Sequence, residues 1–457
     1  MEILYVLLTV LLVVAAVVMI LKKVDTRLTF LFLGVIGLAV ATIVTGSSVL
    51  GDATTGNVVL DVFDVIRTKF ISTIQGTGIR LMMIGGYVML MNHVKAADVL
   101  ALGAAKLLRG IKNPYIVLGL VYAIGAILKI FITSQVALGL LMIATMYPIL
   151  TRLGVSKISA ASVCVALGGM DLGPNDSTGI FVSTEILDCS PMEFFLQYES
   201  MIAPIIIVCV AIFISIYFWR MDLKEFGGLV FDESAKEEKR ISDLGVPAFY
   251  GIFPLIPLTL VVVFSFIDTI SMDVITAHII CFFLFFIVDL LVKRDMNRLQ
   301  ENLRQTWIWM GNYFNNIIVL ISVAAVFAEA VKQLRGIDVL TEILAGLGGA
   351  ALIVAIALSI IQIGTALLTG SSNAPFFAFG PMAPGIASAL GCDVGLLLVP
   401  MHLTGGMARC FSPFMGTVIA VSGMVDMDPM VICKRNMAPM VFGIIVCFIA
   451  SAFVFGL

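Results

Sequence analysis

The chain has 457 residues, of which 60% are hydrophobic and 12% charged, and its formal net charge is −3 at pH 7. Soluble domains are about half apolar and about one-quarter charged, so this composition excludes an ordinary soluble protein and predicts an all-α, polytopic protein of the lipid bilayer. The small net charge gives no sign of a nucleic-acid partner, and the eight cysteines show no paired spacing that would indicate disulfides or a metal site.

The first half of the chain contains apolar runs that are long enough to span a membrane, separated by polar interruptions. The most unusual interruptions are Thr133-Ser134-Gln135, within one apolar run, and a segment rich in Gly, Pro and Asp at 168–177. In chain order we predict spans at 3–21 and 28–46, an amphipathic stretch near 57–72, a span near 75–93, an amphipathic arm at 95–112, a hairpin at 114–150, a broken helix at 157–187 and a span at 201–219.

A charged segment, 220–247, separates the two halves and is interpreted as a cytoplasmic linker. The second half, 248–457, repeats the order of the first half, 1–219, with interruptions at 369–375 and 405–413. Paired interruptions in corresponding positions of two halves are typical of the binding site of a secondary transporter. The predicted elements are spans at 248–267 and 274–292, an interfacial stretch at 296–309, a span at 311–331, an arm at 332–346, a hairpin at 349–389, a broken helix at 394–424 and a span at 437–456.

The distribution of basic residues predicts the topology. If both hairpins are re-entrant, each half crosses the membrane five times, so the second half is an inverted repeat of the first. With the N-terminus outside the cell, most of the 27 basic residues fall in cytoplasmic loops, as the positive-inside rule requires. The sequence therefore predicts a multi-pass membrane protein with its N- and C-termini outside the cell, whose two amphipathic arms lie along the membrane surface.

The tips of the two hairpins are candidate substrate-binding elements. Backbone that leaves a helix within a bilayer must be buried in protein or line a wet cavity. A helix that starts at such a tip directs partial positive charge toward it, and nearby hydroxyl and amide groups can bond an anion. On this basis the predicted substrate-binding residues are Ser134, Gln135, Gly370, Ser371, Ser372, Asn373, Arg409 and Ser412.

Arg409 carries the strongest single signal, because a guanidinium at membrane depth needs an anionic partner or a wet cavity. Two partners are compatible with the sequence. One is a substrate carboxylate, which the planar fork of an arginine binds in bidentate fashion. The other is Asp171, which occupies nearly the matching position in the first half and would form a structural ion pair with Arg409.

The polar interruptions also offer oxygen ligands for a coupling ion. A hard cation such as Na⁺ prefers carboxylate, hydroxyl and carbonyl oxygens beside unwound backbone. The same aspartates could instead carry protons or neutralise Arg409. Na⁺ is therefore the one cofactor that the sequence leaves open, and no other metal is expected. The predicted coupling-ion residues are Asp171, Asn175, Asp176, Thr133 and Thr369.

Several segments resemble those of the anaerobic four-carbon dicarboxylate carriers of the DcuC type, and the resemblance extends over nearly the whole chain. It implies a scaffold domain and a mobile transport domain, an elevator motion, a homodimer, and hairpin tips that bind a substrate carboxylate beside Na⁺ sites. The tip positions are here Ser134-Gln135 and Ser372-Asn373-Ala374. The segments that carry the resemblance are Asn113-Pro114-Tyr115, Thr369-Gly370-Ser371-Ser372-Asn373-Ala374-Pro375-Phe376, Arg409, Ser412-Pro413 and Val421-Ser422-Gly423-Met424.

We therefore expect a secondary transporter of small organic anions, driven by exchange, protons or Na⁺, and the resemblance implies four-carbon dicarboxylates such as succinate and fumarate. The interruptions alone support only a transporter of a polar or anionic solute. The resemblance also implies membership of the ion-transporter superfamily. One alternative is a Na⁺/H⁺ antiporter of this superfamily, in which Asp171 and Asp176 exchange the ions. Another is a carrier of a different carboxylate or of an amino-acid-like solute. An enzyme is not expected, because no nucleophile–base spacing or metal-ligand cluster is present.

Overall fold

The computed structural model describes residues 2–22, 24–108, 110–230, 240–265, 272–335 and 350–456, and all regular secondary structure in these ranges is helical. Within them, seven helices are long and apolar enough to cross a membrane, or eight if one bent pair counts as a single span. Shorter apolar helices include Pro114–Leu128 and Lys157–Ala166, in the predicted first hairpin and first broken helix. The expected multi-pass, all-α architecture is confirmed, whereas the inverted relation between the halves stays a prediction.

The first half contains α1 (Glu2–Leu21), α2 (Thr26–Thr45), α3 (Val58–Thr73), α4 (Ile79–His93), α5 (Ala96–Ala105), α6 (Pro114–Leu128), α7 (Gln135–Thr145), α8 (Tyr147–Arg152), α9 (Lys157–Ala166), α10 (Ser177–Phe181), α11 (Pro191–Phe194) and α12 (Ser200–Phe226). A π-helical turn, Ile74–Gly78, joins α3 and α4 into one continuous helix, here called the α3–α4 rod. The first arm, α5, turns away from this rod by 71°. Such a turn agrees with the expectation that the arm follows the membrane surface.

The second half starts with a 3₁₀ helix, Ala248–Leu255, and continues with α13 (Ile256–Ser265), α14 (Val274–Lys293), α15 (Met296–Tyr313), α16 (Val319–Gln333), α17 (Ala350–Thr369), α18 (Asn373–Phe379), α19 (Ala383–Leu390), α20 (Gly395–Arg409), α21 (Gly416–Met424) and α22 (Pro429–Phe455). Five parts of predicted elements lie outside the described residues: 109 of the first arm, 231–239 of the linker, 266–267 of the span at 248–267, 336–346 of the second arm and 349 of the second hairpin.

Local side chains explain why helices start within the apolar runs. Asn113 accepts hydrogen bonds from two amides in the first turn of α6, and Pro114 occupies the position where no amide is needed. The Ser134 hydroxyl accepts a bond from the Ala137 amide at 3.4 Å and so starts α7. These caps satisfy amides that lipid could not satisfy, so one helix can end and another begin at 129–134.

The buried apolar side chains form two main clusters. One is built mainly from α6, α7, α9, α12, α20 and α22. The other is built mainly from α1, α2, α16, α18 and part of α20. The segment 166–182 passes from the first cluster into the second, and α20 contributes to both. The polar interruptions therefore lie at the boundary between the two apolar clusters.

The second broken helix differs from the prediction, which placed its break at 405–413. α20 continues to Arg409, and the non-helical segment is 410–415. The reason is close packing: a Cβ atom at Gly406 would lie 2.5 Å from the carbonyl oxygen of Gly169. Glycine is required there so that another chain segment can touch the helix, and the helix itself remains intact.

The last helix of the first half extends beyond residue 219, where the linker was expected to start. α12 continues to Phe226, and Asp222 within it is buried. The Asp222 carboxylate accepts hydrogen bonds from the Tyr115 hydroxyl at 3.1 Å and from the Arg435 guanidinium at 2.8 Å. Further donors to the same carboxylate are Ser156 and Ser159. A buried carboxylate with a cation and this many donors belongs to the folded structure, so the beginning of the predicted linker is not solvated chain.

Candidate substrate-binding site

Three non-helical segments meet in the interior of the protein: the first break (167–176), the second hairpin tip (370–372) and the second break (410–415). Glycines, which lack a Cβ atom, allow these segments to come close together. A Cβ atom at Gly405 would lie 2.9 Å from the Ser372 Cβ atom. Gly370 has a φ of +75°, and a Cβ atom there would lie 2.5 Å from the Phe414 carbonyl oxygen. The second tip is therefore wedged between α20 and the second break.

Arg409, the last residue of α20, is bonded to both the first break and the second tip. Its guanidinium forms an ion pair with the Asp171 carboxylate and donates from Nη1 to the Ser372 hydroxyl at 3.2 Å. The Ser372 hydroxyl also lies 3.4 Å from the other oxygen of Asp171. The side chain of Arg409 is 11% exposed, and its Nε has no hydrogen-bond partner among the described residues. One N–H donor of this buried guanidinium group thus has no hydrogen-bond acceptor among the described residues.

Lys129 holds the two aspartates of the first break together. It follows α6 at the first hairpin tip, and its side chain is 2% exposed. The ammonium nitrogen lies 3.5 Å from Asp171 Oδ1 and 3.5 Å from Asp176 Oδ1. A buried ammonium is tolerated only when anions compensate its charge. Lys129 therefore neutralises both acids that the sequence singled out.

The series of charges continues beyond Asp176 to a histidine and a glutamate. Asp176 accepts two amides as the N-cap of α10 and lies 3.5 Å from His402 Nε2. His402 Nδ1 in turn lies 3.1 Å from Glu199 Oε1, and Glu199 Oε2 accepts the Gly173 amide at 2.9 Å. Neither ring nitrogen of His402 makes a well-aligned hydrogen bond among the described residues.

These six side chains form a continuous buried series of alternating acids and bases, here called the charged chain: Arg409, Asp171, Lys129, Asp176, His402 and Glu199. The three negative charges of its carboxylates exceed the two positive charges of Arg409 and Lys129 by one. The total charge is zero when His402 or one carboxylate is protonated. Histidine is the side chain whose charge most readily changes near neutral pH. The charged chain is therefore neutral with one bound proton, and Arg409 at its end is paired with an acid of the protein itself.

The first hairpin tip also approaches the second break. The Gln135 amide lies 3.6 Å from the Cys410 sulfur, while Ser134 caps α7. Thr133 interacts with the Tyr313 hydroxyl. These three predicted residues are thus close to the meeting point of the breaks.

Other predicted residues stabilise the backbone of the second tip and second break. The Thr369 hydroxyl bonds to the Ser371 backbone, and the Ser412 hydroxyl donates to the Leu367 carbonyl at 2.6 Å. Asn373 is the first residue of α18. The hydroxyls of Thr369 and Ser412 are therefore already bonded to backbone groups.

Asn175 is placed differently from the expectation that it joins a coupling-ion site with the two aspartates. It lines a small cavity together with Tyr87, Asn92 and His278. The structure thus brings together Ser372, Arg409, Asp171 and Asp176, with Asn175 facing that separate cavity.

The sequence reasoning did not include Lys129, His402 and Glu199 in the site. Lys129 and His402 each lie within an apolar run, shortly before an interruption. Glu199 lies at the start of another apolar run. A titratable residue in that position is the signal that could have identified them. Their mutual contacts, however, join chain segments that are far apart in sequence.

Two cavities lie beside the site. One, of about 280 Å³, follows α7 from Thr145 to Ala137 near the first tip, and Asn92 also lines it. The other, of about 460 Å³, is lined by Ser72 and Glu185 among others. Ser72 and Asn92 lie about twenty residues apart on the α3–α4 rod, which is about 30 Å at 1.5 Å per residue and matches the hydrocarbon thickness of a bilayer. The cavities therefore lie about 30 Å apart along the rod.

The contact between the two breaks gives a test of this geometry. Gly406→Ala places a methyl group against the Gly169 carbonyl, and we expect it to destabilise the protein by about 1–3 kcal/mol and to weaken solute binding. Gly364→Ala on α17 is the matched control, because a Cβ atom there meets nothing within 4 Å. Melting temperatures in detergent compare the two variants. Equal stability of both variants would contradict the close approach of the breaks.

The fold defines the class of the protein as an α-helical, multi-pass membrane protein. Two solved structures are similar over nearly the whole chain. One is MtrF of Neisseria gonorrhoeae, from a class of antimetabolite efflux pumps, with a TM-score of 0.66 covering 93% of this chain and 94% of that chain. The other is the YdaH transporter of Alcanivorax borkumensis, with a TM-score of 0.60 covering 94% and 97%. Identity is 12% to each, so these similarities show the fold alone.

The chain belongs to the C4-dicarboxylate anaerobic carrier family, DcuC, which it matches over residues 3–455. It is 28% identical to the probable anaerobic C4-dicarboxylate transporter DcuC of Vibrio cholerae, over 87% of this chain and 86% of that protein. It is 27% identical to the anaerobic C4-dicarboxylate transporter DcuC of Escherichia coli K12, over 92% and 90%. This is a family of transporters and not of enzymes, which confirms the resemblance drawn from the sequence.

Proposed function

We propose that this protein is a secondary transporter of four-carbon dicarboxylates such as succinate and fumarate, and that Arg409 binds one substrate carboxylate. The observation that carries the proposal is the buried Arg409 guanidinium beside the second tip, with an Nε that has no partner among the described residues. A guanidinium group is permanently charged, and one that has an unbonded N–H donor can bind a planar carboxylate. The names of the relatives from Vibrio cholerae and Escherichia coli support this substrate class.

Asp171 competes with the substrate carboxylate for Arg409. A substrate that displaces Asp171 from Arg409 leaves Asp171 beside Lys129, at 3.5 Å. Neither the substrate nor the aspartate then lacks a cation, which avoids the large cost of an uncompensated buried charge. Binding and release can thus proceed by replacing one ion pair with another.

Exchange or proton coupling fits the charged chain better than Na⁺ coupling. A Na⁺ ion between Asp171 and Asp176 meets the Lys129 ammonium, which already lies 3.5 Å from both carboxylates. Like charges at such a distance repel strongly in a low-dielectric interior. His402, between Asp176 and Glu199, is the group of the charged chain that would carry the coupling proton.

The transport cycle that we propose is alternating access of the elevator type in a bacterial inner membrane. The two cavities, which lie about 30 Å apart along the α3–α4 rod, support access from both membrane faces. A transport domain that carries the hairpin tips and the two breaks would move against a scaffold domain. By analogy with the superfamily, two inverted repeats, a homodimer and periplasmic termini belong to the same proposal.

Ser372→Ala tests the place of the second tip in the site. The variant loses a hydroxyl that bonds both Arg409 and Asp171, and we expect succinate affinity to fall by about 1.5–3 kcal/mol, or roughly tenfold or more. Isothermal titration of purified protein with succinate measures the effect. Ser422→Ala is the matched control, since that buried hydroxyl bonds only the Ile419 carbonyl within α21. Unchanged affinity in Ser372→Ala would remove the tip from the site.

A further inference from the structure

A cavity of about 370 Å³ lies beneath the first arm and shares no lining residue with the charged chain. Its walls come from the end of the arm, from the α7–α8 half of the first hairpin and from the segment at 240–241 that leads into the second half. Most of the lining is apolar: Leu102, Ala105, Leu108, Ile111, Ile149, Leu153 and Ile241. An apolar cavity of this size accommodates part of a hydrocarbon chain.

Two basic side chains contribute to the same cavity. Lys106 and Arg240 both line it, and both residues are exposed. No carboxylate belongs to the described residues that line it. Among the described residues, Asp243 has a carboxylate close to Arg240, and it accepts hydrogen bonds from the backbone amide of Arg240 and from the Ser242 hydroxyl. The cavity therefore combines an apolar interior with two cationic groups, which is complementary to an amphiphile with an anionic head.

The position of the cavity fits the membrane surface. The α3–α4 rod ends at His93, and the arm turns by 71° as it leaves the rod. The linker is held close to the end of α8, because the Val230 amide donates to the Gly154 carbonyl at 2.9 Å. Lys106 and Arg240 thus lie where a helix gives way to surface segments, which is the depth of lipid headgroups.

We propose that this cavity binds an anionic phospholipid. Its phosphate lies between Lys106 and Arg240, and one acyl chain packs against the apolar wall formed by the arm and the first hairpin. Basic pockets between membrane helices bind anionic headgroups in this way. Since the cavity is bounded by both the arm and the hairpin, the bound lipid ties these two elements together and stabilises their contact. This inference does not depend on the identity of the transported solute.

The test is lipid binding to the purified full-length protein. Delipidated protein in detergent is titrated with phosphatidylglycerol or phosphatidylcholine, and the adducts are counted by native mass spectrometry while melting temperature is recorded. The variant Lys106→Gln/Arg240→Gln removes both cationic groups from exposed positions, where folding does not depend on them. The matched control is Arg220→Gln/Lys224→Gln, which removes two exposed basic residues near the end of α12.

We expect phosphatidylglycerol to form a one-to-one adduct and to raise the melting temperature of the wild type and of the control. The Lys106→Gln/Arg240→Gln variant should bind this lipid at least about tenfold more weakly, because each basic group at a membrane surface contributes a several-fold gain in affinity. Equal binding of both lipids to the wild type would overturn the proposal, as would unchanged phosphatidylglycerol binding in the variant. Displacement of the lipid by millimolar succinate would assign the cavity to dicarboxylates instead.

Discussion

Arg409→Lys is expected to abolish dicarboxylate binding almost as completely as Arg409→Ala. An ammonium is a point charge and cannot supply the two parallel donors that hold a planar carboxylate. Truncation of one member of a buried, hydrogen-bonded charge pair costs about 2–5 kcal/mol in affinity, a loss of at least about 30-fold. Isothermal titration with succinate measures this loss. Folding should survive in both variants, because Lys129 still lies 3.5 Å from Asp171.

Arg435→Lys provides a matched control for this experiment. Arg435 is also buried against a carboxylate, that of Asp222, but it lies outside the charged chain. We expect this control to lower the melting temperature while the succinate affinity of the folded protein stays the same. A loss of affinity in Arg435→Lys equal to that in Arg409→Lys would show that the effect is not specific to the site.

The double variant Arg409→Ala/Asp171→Ala separates the two interpretations of Arg409. If Arg409 serves only as the structural partner of Asp171, the single variant loses stability, and the double variant recovers both stability and succinate binding. That result would remove Arg409 from the substrate site and leave the substrate carboxylate to other polar groups. If Arg409 binds the substrate carboxylate, succinate binding is absent from the single and the double variant alike.

Lys129→Met is expected to destabilise the protein by about 3–5 kcal/mol, because it leaves buried carboxylates without their shared cation. Asp171 keeps Arg409 as a partner, but Asp176 keeps only its amide donors and the contact with His402. Methionine preserves most of the side-chain volume, so the effect reports charge and not packing. Loss of folded protein or a strongly lowered melting temperature in detergent is the expected measurement.

Two further variants make the result for Lys129 specific. Lys129→Met/Asp176→Asn removes the uncompensated charge together with the cation, and we expect it to recover much of the lost stability. Lys95→Met is the control for an exposed lysine. The Lys95 side chain is 55% exposed, and its ammonium lies 3.7 Å from the Asp98 carboxylate. Exposed ion pairs of this kind contribute less than about 1 kcal/mol to stability. A Lys129→Met variant as stable as Lys95→Met would show that Lys129 does not hold the two aspartates.

Much of the fold follows from local sequence. Apolar runs of about 20 residues predict spans, because lipid offers no partner for an exposed peptide group. Asn113 and Ser134 mark helix starts for the same reason, as both satisfy amides that would otherwise be unpaired. The helix through Gly406 could not be predicted in this way, because a glycine that permits close packing has the same sequence appearance as a glycine that ends a helix.

The candidate site was only partly accessible to sequence reasoning. By itself the sequence determined that the chain is a membrane transport protein with interruptions at matching positions, and it singled out Ser372, Arg409 and Asp171. Only the tertiary structure decided that Lys129 joins the two aspartates and that His402 and Glu199 extend the series. The physical reason is the range of the forces involved. Hydropathy and capping act over a few neighbouring residues, whereas charge compensation at membrane depth depends on which distant segments the packing of the helices brings within about 4 Å of each other.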